Sequence, residues 1–583
     1  MTMSVPTRTP LPIILIRGFG GLNIQEEQRL TYQGFNQGTV YEHKKGTNEI
    51  YEGLILSFLK SDWQYQDATN VVTFSSREIE DEPALPRKLN SLQKMLQDGK
   101  PLPSSLQWLK DNGIFDKFKR LKDETYTLNY PDKTEQKRYF SGDKVVINPE
   151  MSEYFLESIK EPWRSIWVFR YYDLKERKFD TYGNALVRLI YLIRELTANQ
   201  AGVKPKVNII AHSMGGLIAR EAVQVTYPSL GLKAEDYINK IITLGTPHQG
   251  ITFQILEDWL GFGGELGAQE ELERFNLKNQ SKLNNPYSFQ NFEKHFPLER
   301  LLTIVGTNYK SYNFRQASFL NRVFSPRYEF GSNYNRSDGL VKQFSAQIPG
   351  APRTFIHKSH GGFDSVITSR EAFEVATRFF FGNVRSRLRF VKGQITRGKD
   401  WFGKSEFFLG VSIKPRLVDF ELFHQSEAAE NCYGPFIKED LTDENPAFTW
   451  ADGKNLIWEG YLNTISILED ESIPAQEKDM VLRLDFYVGE RDLLGLGFSD
   501  NVIFRKQYYI QVLIAKTPIE LYLHTDEKFA QPDFTVNPAD KMKEVDGAWE
   551  FQVQDTGFEG TFQIEIDCIP EDGHPEPLLS GIG

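Results

Sequence analysis

Cysteine is scarce in this chain of 583 residues: there are only two, Cys432 and Cys568, both late. One pairing is no disulfide framework for a chain of this length, so both are read as reduced thiols. Long hydrophobic runs are missing as well, and no stretch approaches the roughly 20 apolar residues of a membrane span. The start, MTMSVPTRTPLPIILIRGFGG, offers one short apolar run, Leu11 to Ile16, interrupted by Pro12. It is shorter than the core of a secretory signal and leads straight into a glycine-rich turn. A cytoplasmic protein without an integral membrane segment is therefore expected, with peripheral contact with lipid left open. A basic surplus is absent too. Net charge is −11, and from Val384 onward 20 Lys and Arg stand against 36 Asp and Glu, whereas the residues before it carry 48 against 43. An acidic final third argues against nucleic acid or an anionic membrane as its direct partner.

What is present is a long, aromatic-rich chain, 13% Phe, Trp and Tyr, too long for one ordinary core. Up to Gly382, strands and helices alternate. PIILIRGFGG (12–21), SIWVFRYYD (165–173), KVNIIA (206–211), INKIITLG (238–245) and RLLTIVG (300–306) read as strands. Between the second and third, Tyr182, Ala185, Leu186, Leu189, Ile190, Leu192, Ile193 and Leu196 recur at helical spacing and define one apolar helix face. SMGGLIAREAVQVTY reads as a helix stopped by Pro228, and the run from Ser369 as one closed by Gly382. Such alternation predicts an α/β, doubly wound, mostly parallel sheet covered on both faces. Residues 22–163, with NEIYEGLILSFLKS and SLQWLKDNGIFDKFKRLKD as helices, form a large insertion and a candidate cap. Residues 251–298 form a candidate lid: Phe253, Ile255, Leu256, Trp259, Leu260 and Phe262 are apolar beside glycines that could hinge, although an ordinary packed helix has the same composition. After Gly382 the pattern changes to short alternating strands, among them SEFFLGVSI, VDFELF, VLRLDFYV, QYYIQVLIA, AWEFQVQ and TFQIEIDC. In the last, Phe562, Ile564, Ile566 and Cys568 share a face. The expected domains are 1–383, α/β, and 384–583, an all-β sandwich.

The stretch KVNIIAHSMGGLIAREAV places Ser213 where a buried strand gives way to a helix. A serine on a sharp strand-to-helix turn holds its Oγ clear of the backbone, and the N–H groups after it open a helix that favours a negative oxygen. The turn requires small residues two before and two after the serine, and Ala211 and Gly215 stand there, with Gly216 beyond. The plain alternative is a helix-capping serine. Arg17-Gly18-Phe19-Gly20-Gly21, directly after the first strand, could supply a second N–H, so the backbone groups of Phe19 and Met214 are candidates for an oxyanion hole.

A serine nucleophile needs a base, and the base needs a carboxylate to orient it. The chain has nine histidines. His43, His212, His248 and His295 precede the candidate acid Asp338 in SDGLV, and His424, His524 and His574 lie in the β region. His357 and His360 in HKSHGG remain. His360, followed by two glycines, reads as a loop residue, whereas His357 follows the strand RTFI. His212 and His248 are read as structural. For Asp338 the alternative is an ordinary Asp-Gly turn.

Taken together, RGFGG, AHSMGG, TLGTPHQG, SDGLV and SHGG, in that order, resemble the α/β-hydrolase-fold lipases and esterases, in particular bacterial ones with an Ala-x-Ser-x-Gly elbow. The resemblance spans residues 12 to 382. It implies hydrolysis of a carboxylic ester or lipid by Ser213, Asp338 and His360 through an acyl-enzyme, with no cofactor. The structural calcium sometimes found in the family has no convincing ligand set here. Arg17 departs from the histidine common at that position. A phospholipase or acyltransferase would use the same triad. A non-catalytic binding protein on this scaffold, working through its β region, is the alternative from another class.

Overall fold

The computed structural model describes residues 10–18, 53–61, 63–73, 87–111, 113–116, 146–147, 149–159, 161–171, 178–199, 202–250, 274–276, 285–308, 337–361, 365–396, 405–415, 431–436, 456–462, 480–492, 501–514, 516, 518–526 and 537–569. They fall into two compact units, divided between Thr303 and Ile304. Strands β1 (Ile13–Ile16), β2 (Gln66–Asp67), β5 (Ser165–Val168), β6 (Val207–His212), β7 (Ile238–Leu244), β8 (Leu301–Gly306) and β9 (Arg353–Ile356) make one sheet in the order β2-β5-β1-β6-β7-β8-β9. A two-residue pair, β3 (Val72–Thr73) with β4 (Val146–Ile147), stands apart.

In the unit of residues 10–303, β1, β5, β6 and β7 are buried at every position, and their pairings are parallel. Continuous apolar strands of this kind require cover on both faces. Where a polar residue enters the sheet it finds a partner, as when Asn239 donates to the Asn208 side chain at 3.0 Å. From β1 the chain passes to β5 on one side and then to β6 on the other. Such a reversal is the point at which a doubly wound sheet places its ligands, beyond the carboxyl ends of the strands, here β1 and β6.

Helices α1 (Leu54–Lys60), α2 (Arg87–Gln97), α3 (Ser104–Asp111) and α4 (Pro149–Ser158) lie in the long segment between β1 and β5. Part of that segment is sheet: β2 pairs in parallel with β5, and the Tyr65 hydroxyl donates to the Leu11 carbonyl at 3.0 Å. Helix α5 (Phe179–Leu196) buries all eight residues of the apolar face read from its spacing. Helix α6 (Met214–Glu221) runs into a π turn, Ala222–Thr226, and then a short turn, Tyr227–Ser229. Pro228 therefore does not stop the helix. The π turn shifts the register so that Pro228 falls in a first turn, where a missing N–H costs nothing, and Gly231 at φ 69° follows. Helix α7 (Phe289–His295) is capped by the Ser288 side chain. Of the candidate lid, residues 251–273 and 277–284 lie outside the described residues.

In the unit from residue 304 onward, helix α8 (Arg370–Phe381) is capped by Ser369, whose Oγ accepts from the Ala372 N–H at 3.1 Å. Gly382 ends it in an extended conformation, φ −70° and ψ 143°, so its reason is space rather than a left-handed cap. A Cβ there would lie 2.4 Å from the Arg378 carbonyl oxygen and 2.9 Å from that of Leu462. Two five-stranded antiparallel sheets follow. One is ordered β13 (Leu456–Leu462), β10 (Val384–Ile395), β19 (Phe558–Cys568), β18 (Ala548–Asp555) and β17 (Glu544–Val545). The other is ordered β12 (Asn431–Phe436), β11 (Ser405–Pro415), β14 (Met480–Asp492), β15 (Asn501–Leu513) and β16 (Glu520–His524). They meet through aromatic rings, Phe486 to Phe562 at 4.8 Å and Phe504 to Phe558 at 5.3 Å between centroids. On β19 the alternation holds through Ile566 and fails at Cys568, which is exposed at the strand end. VDFELF lies outside the described residues.

Candidate active site

Ser213 sits between β6 and α6 with φ 52° and ψ −125°, a torsion pair that a side-chain-bearing residue rarely adopts. A conformation of this kind costs about 1–3 kcal/mol and persists only where its surroundings impose it. Here they do. The Ser213 N–H donates 2.9 Å to the Leu244 carbonyl, and the Ser213 carbonyl accepts from Gly216 N–H at 3.1 Å. Three glycines make the remaining room. A Cβ on Gly18 would stand 2.4 Å from Ser213 Cβ and 3.1 Å from its Oγ. On Gly215 it would stand 2.4 Å from the Ile16 carbonyl oxygen, and on Gly216 2.1 Å from Thr246 Oγ1. Ala211, fully buried, pairs with Ile16 and Thr243 in the flanking strands. The carboxyl ends of β1 and β6 are thus pressed together around the serine, at the reversal in strand order. Met214 opens α6, so its N–H is among those without an acceptor inside the helix. Phe19 lies outside the described residues.

Asp338 and His360 are brought together in the other unit. His360 Nδ1 lies 2.8 Å from Asp338 Oδ2, and the His360 N–H donates to the Asp338 carbonyl at 2.8 Å. Since a carboxylate oxygen only accepts, the ring proton belongs on Nδ1 and Nε2 is left as the acceptor. The other carboxylate oxygen, Oδ1, accepts from the Leu340 N–H at 3.1 Å and the Val341 N–H at 2.7 Å. Both residues are buried, at 1% and 3% exposure, so neither rotates freely into water. Gly339 takes φ 100°, which lets the turn close. Gly306, ending β8, leaves the space that Asp338 fills: a Cβ there would be 2.6 Å from Asp338 Cβ. His357 has other business, with Nδ1 3.1 Å from Thr307 Oγ1.

Sequence reasoning passed over a second buried cluster behind Ser213. Arg220 is 1% exposed; its Nε donates to Gln224 Oε1 at 2.9 Å, its Nη1 to the His248 carbonyl at 2.8 Å, and its Nη2 to the Tyr287 carbonyl. The rings of Phe275 and Phe289 lie 5.0 and 5.2 Å from the guanidinium carbon. Burial lowers this guanidinium to about 9. His248, whose Nε2 is 2.9 Å from Thr243 Oγ1, is held well below the usual histidine range by burial and then by Arg220. The signal available was the run Arg220, Glu221, Gln224 on an otherwise apolar helix. His212 is buried beside the serine. Among the described residues, no group of acidic, histidine and cysteine side chains could hold a metal ion.

A doubly wound parallel sheet with a strained serine on the turn after a central strand, joined to antiparallel β sheets, defines the class: an α/β-hydrolase fold. Residues 151–288 match the family described as the PGAP1-like alpha/beta domain, a span from α4 through Ser213 to Tyr287 and Ser288. A comparison with curated proteins returns no match. Among solved structures, the chain is similar to the mature form of lipase BlEst2 from Bacillus licheniformis, at 18% identity over 37% of this chain and 78% of that one, with a TM-score of 0.26. It is also similar to the lin2722 gene product of Listeria innocua, at 12% identity over 64% and 93% of the two chains, TM-score 0.28. Phospholipase PlaB from Legionella pneumophila matches at 13% identity over 64% and 85%, TM-score 0.27.

Proposed function

We propose that the protein is a serine carboxylic-ester hydrolase of the lipase and esterase kind. The observation that carries this reading is the torsion of Ser213, φ 52° and ψ −125°, at the carboxyl end of a central strand. Strain of this order is retained where it holds a reactive atom, and a capping serine has no need of it. In the reaction, Ser213 Oγ attacks the ester carbonyl carbon while His360 Nε2 takes the hydroxyl proton. The oxygen that becomes negative is held by the N–H groups of Met214 and Phe19. Collapse of the tetrahedral intermediate breaks the bond to the alcohol, which leaves with the proton from His360. Water then repeats the sequence on the acyl-enzyme, freeing the acid and Ser213. Asp338 keeps the imidazole in the tautomer that this needs.

The test is a panel of p-nitrophenyl esters of rising acyl length, with a phospholipid alongside, assayed on the wild type and on Ser213→Ala. Turnover that depends on Ser213 supports the reading, and the panel names the acyl preference. No hydrolysis of any ester by the folded wild type would end it.

A further inference from the structure

Strand β9 closes its sheet as the last strand in the order, so its outer edge needs a partner other than a strand of that sheet. It finds one in β13. The Arg353 N–H donates to Glu459 Oε2 at 3.0 Å, and Thr354 Oγ1 donates to the Glu459 carbonyl at 2.8 Å. The other carboxylate oxygen, Oε1, is held by the Arg385 guanidinium, with Nε at 2.5 Å. Glu459 is 1% exposed. In the surrounding ladder, Arg387 with Asp567 and Arg389 with Glu565, the arginines and Glu565 are half-buried and Asp567 is exposed. Among the described residues, Glu459 is the carboxylate that joins this ladder to the main chain of β9. Nearby, the Asn383 N–H donates to the Leu462 carbonyl at 2.9 Å, and the Phe379 and Tyr461 rings meet edge-on at 4.9 Å.

The loop that follows β9 carries His360. That loop is stitched to the exit of β8 by Thr307 N–H to the Ile356 carbonyl at 2.9 Å and by Asn308 N–H to the Lys358 carbonyl at 3.2 Å. The next bond in line is His360 N–H to the Asp338 carbonyl, at 2.8 Å. Any slip of β9 along β8 therefore moves His360 against Asp338. We infer that Glu459 is a positioning residue for the Asp338 and His360 pair, and that the C-terminal β region is thereby a working part of the site. The inference rests on the proposed ester hydrolase, because the pair matters to catalysis only there. The carboxylate is suited to the task, since one rigid group accepts from the main chain of β9 and from β10's Arg385 together.

The experiment compares full-length Glu459→Ala, Glu459→Gln and Thr354→Val with the wild type, well below each melting temperature. Three readouts are taken: kcat and KM on the best ester, the rate of phosphonylation by a fluorophosphonate, and the downfield proton resonance of His360 Nδ1–H. Misplacement by about 1 Å costs on the order of a hundredfold, so Glu459→Ala is expected to lose about tenfold to a hundredfold in kcat, with KM little changed. The phosphonylation rate should fall by the same factor and the resonance should broaden or vanish. Glu459→Gln keeps an acceptor for the Arg353 N–H and should recover most of the loss. Should Glu459→Ala not fold, Thr354→Val removes one bond at the same contact and should still weaken the resonance and lower kcat. Soluble variants with wild-type kcat and an unchanged resonance, differing only in melting temperature, would overturn the inference. A wild type inert to esters and fluorophosphonate alike would instead defeat the proposed function, while the resonance would still report whether Glu459 positions His360.

Discussion

The turn that carries Ser213 and the turn that carries Asp338 are confined by different physics. The first is confined sterically: three glycines and an alanine let two strands and a helix close on a serine whose backbone is strained. The second is confined chiefly by hydrogen bonds, with both oxygens of Asp338 and its main-chain carbonyl engaged by named donors and Gly306 leaving room for its Cβ. Close packing leaves its mark as small residues at fixed spacing. A hydrogen-bonded turn leaves only an Asp-Gly pair and a distant histidine, because main-chain donors have no sequence signature. The same difference sets what each turn tolerates. The first should fail on the addition of a methyl group, the second on the removal of a polar atom.

Ser213→Ala should bring the largest loss, about 10⁴- to 10⁶-fold in ester turnover, with melting unchanged because alanine fits the same torsions no worse. His360→Asn should follow, at about 10³- to 10⁴-fold, while His357→Asn costs about tenfold or less; paired rate measurements decide between them. The reverse ranking would mean that the hydrogen bond to Asp338 does not mark the base. Steric confinement is tested by Gly216→Ala, which presses on Thr246 and should destabilise by about 1–3 kcal/mol in urea unfolding. Adding Thr246→Ala should return much of that, since the two sites share one space. Equal stability of Gly216→Ala and the wild type would contradict the packing argument. Ser213→Gly should be about 1 kcal/mol more stable than Ser213→Ala, because glycine takes φ 52° without strain.

A further effect is the dependence on pH at His248. Its native value is depressed, so the native state binds this proton less readily than the unfolded chain does. Stability from keeping it neutral is present above the unfolded value near 6.5 and is lost as pH falls below it, at up to about 1.4 kcal/mol per pH unit. A melting curve between pH 7 and 5 should therefore be flatter in His248→Gln. Identical slopes would show that His248 does not titrate on unfolding.

The parallel sheet was legible because its strands are continuous apolar runs, and α5 because its eight apolar positions recur at helical spacing. The change to antiparallel sheets after Gly382 was legible from alternation. Strand β2 was not, since two polar residues, Gln66 and Asp67, carry no periodicity and pair with β5 through the main chain. Nor was the path through Pro228, because a π turn follows from packing and leaves the residue pattern intact. Gly382 was chosen correctly as an end for a different reason, the crowding by Leu462, a residue far along the chain. Of the candidate site, the strained turn at Ser213 was legible from its small neighbours. Asp338 was read from its Asp-Gly turn, and His360 from elimination among the nine histidines together with the two glycines after it; in the structure His360 Nδ1 lies against Asp338, and His357 Nδ1 against Thr307. Glu459 could not have been found, because burial of a charged side chain depends on what covers it, and Arg220 showed only as part of a polar run on an otherwise apolar helix. Within the acidic C-terminal stretch, Arg387 and Arg389 pair across strands with Glu565 and Asp567.

The central claim is that Ser213 is a nucleophile activated by His360. Its most direct measurement is the intact mass of the protein after exposure to a fluorophosphonate, with the site then read by peptide mapping. One adduct per chain is expected, on Ser213, absent from Ser213→Ala and slowed at least about a hundredfold in His360→Asn. An adduct on another residue, or labelling of His360→Asn at the wild-type rate, would contradict it.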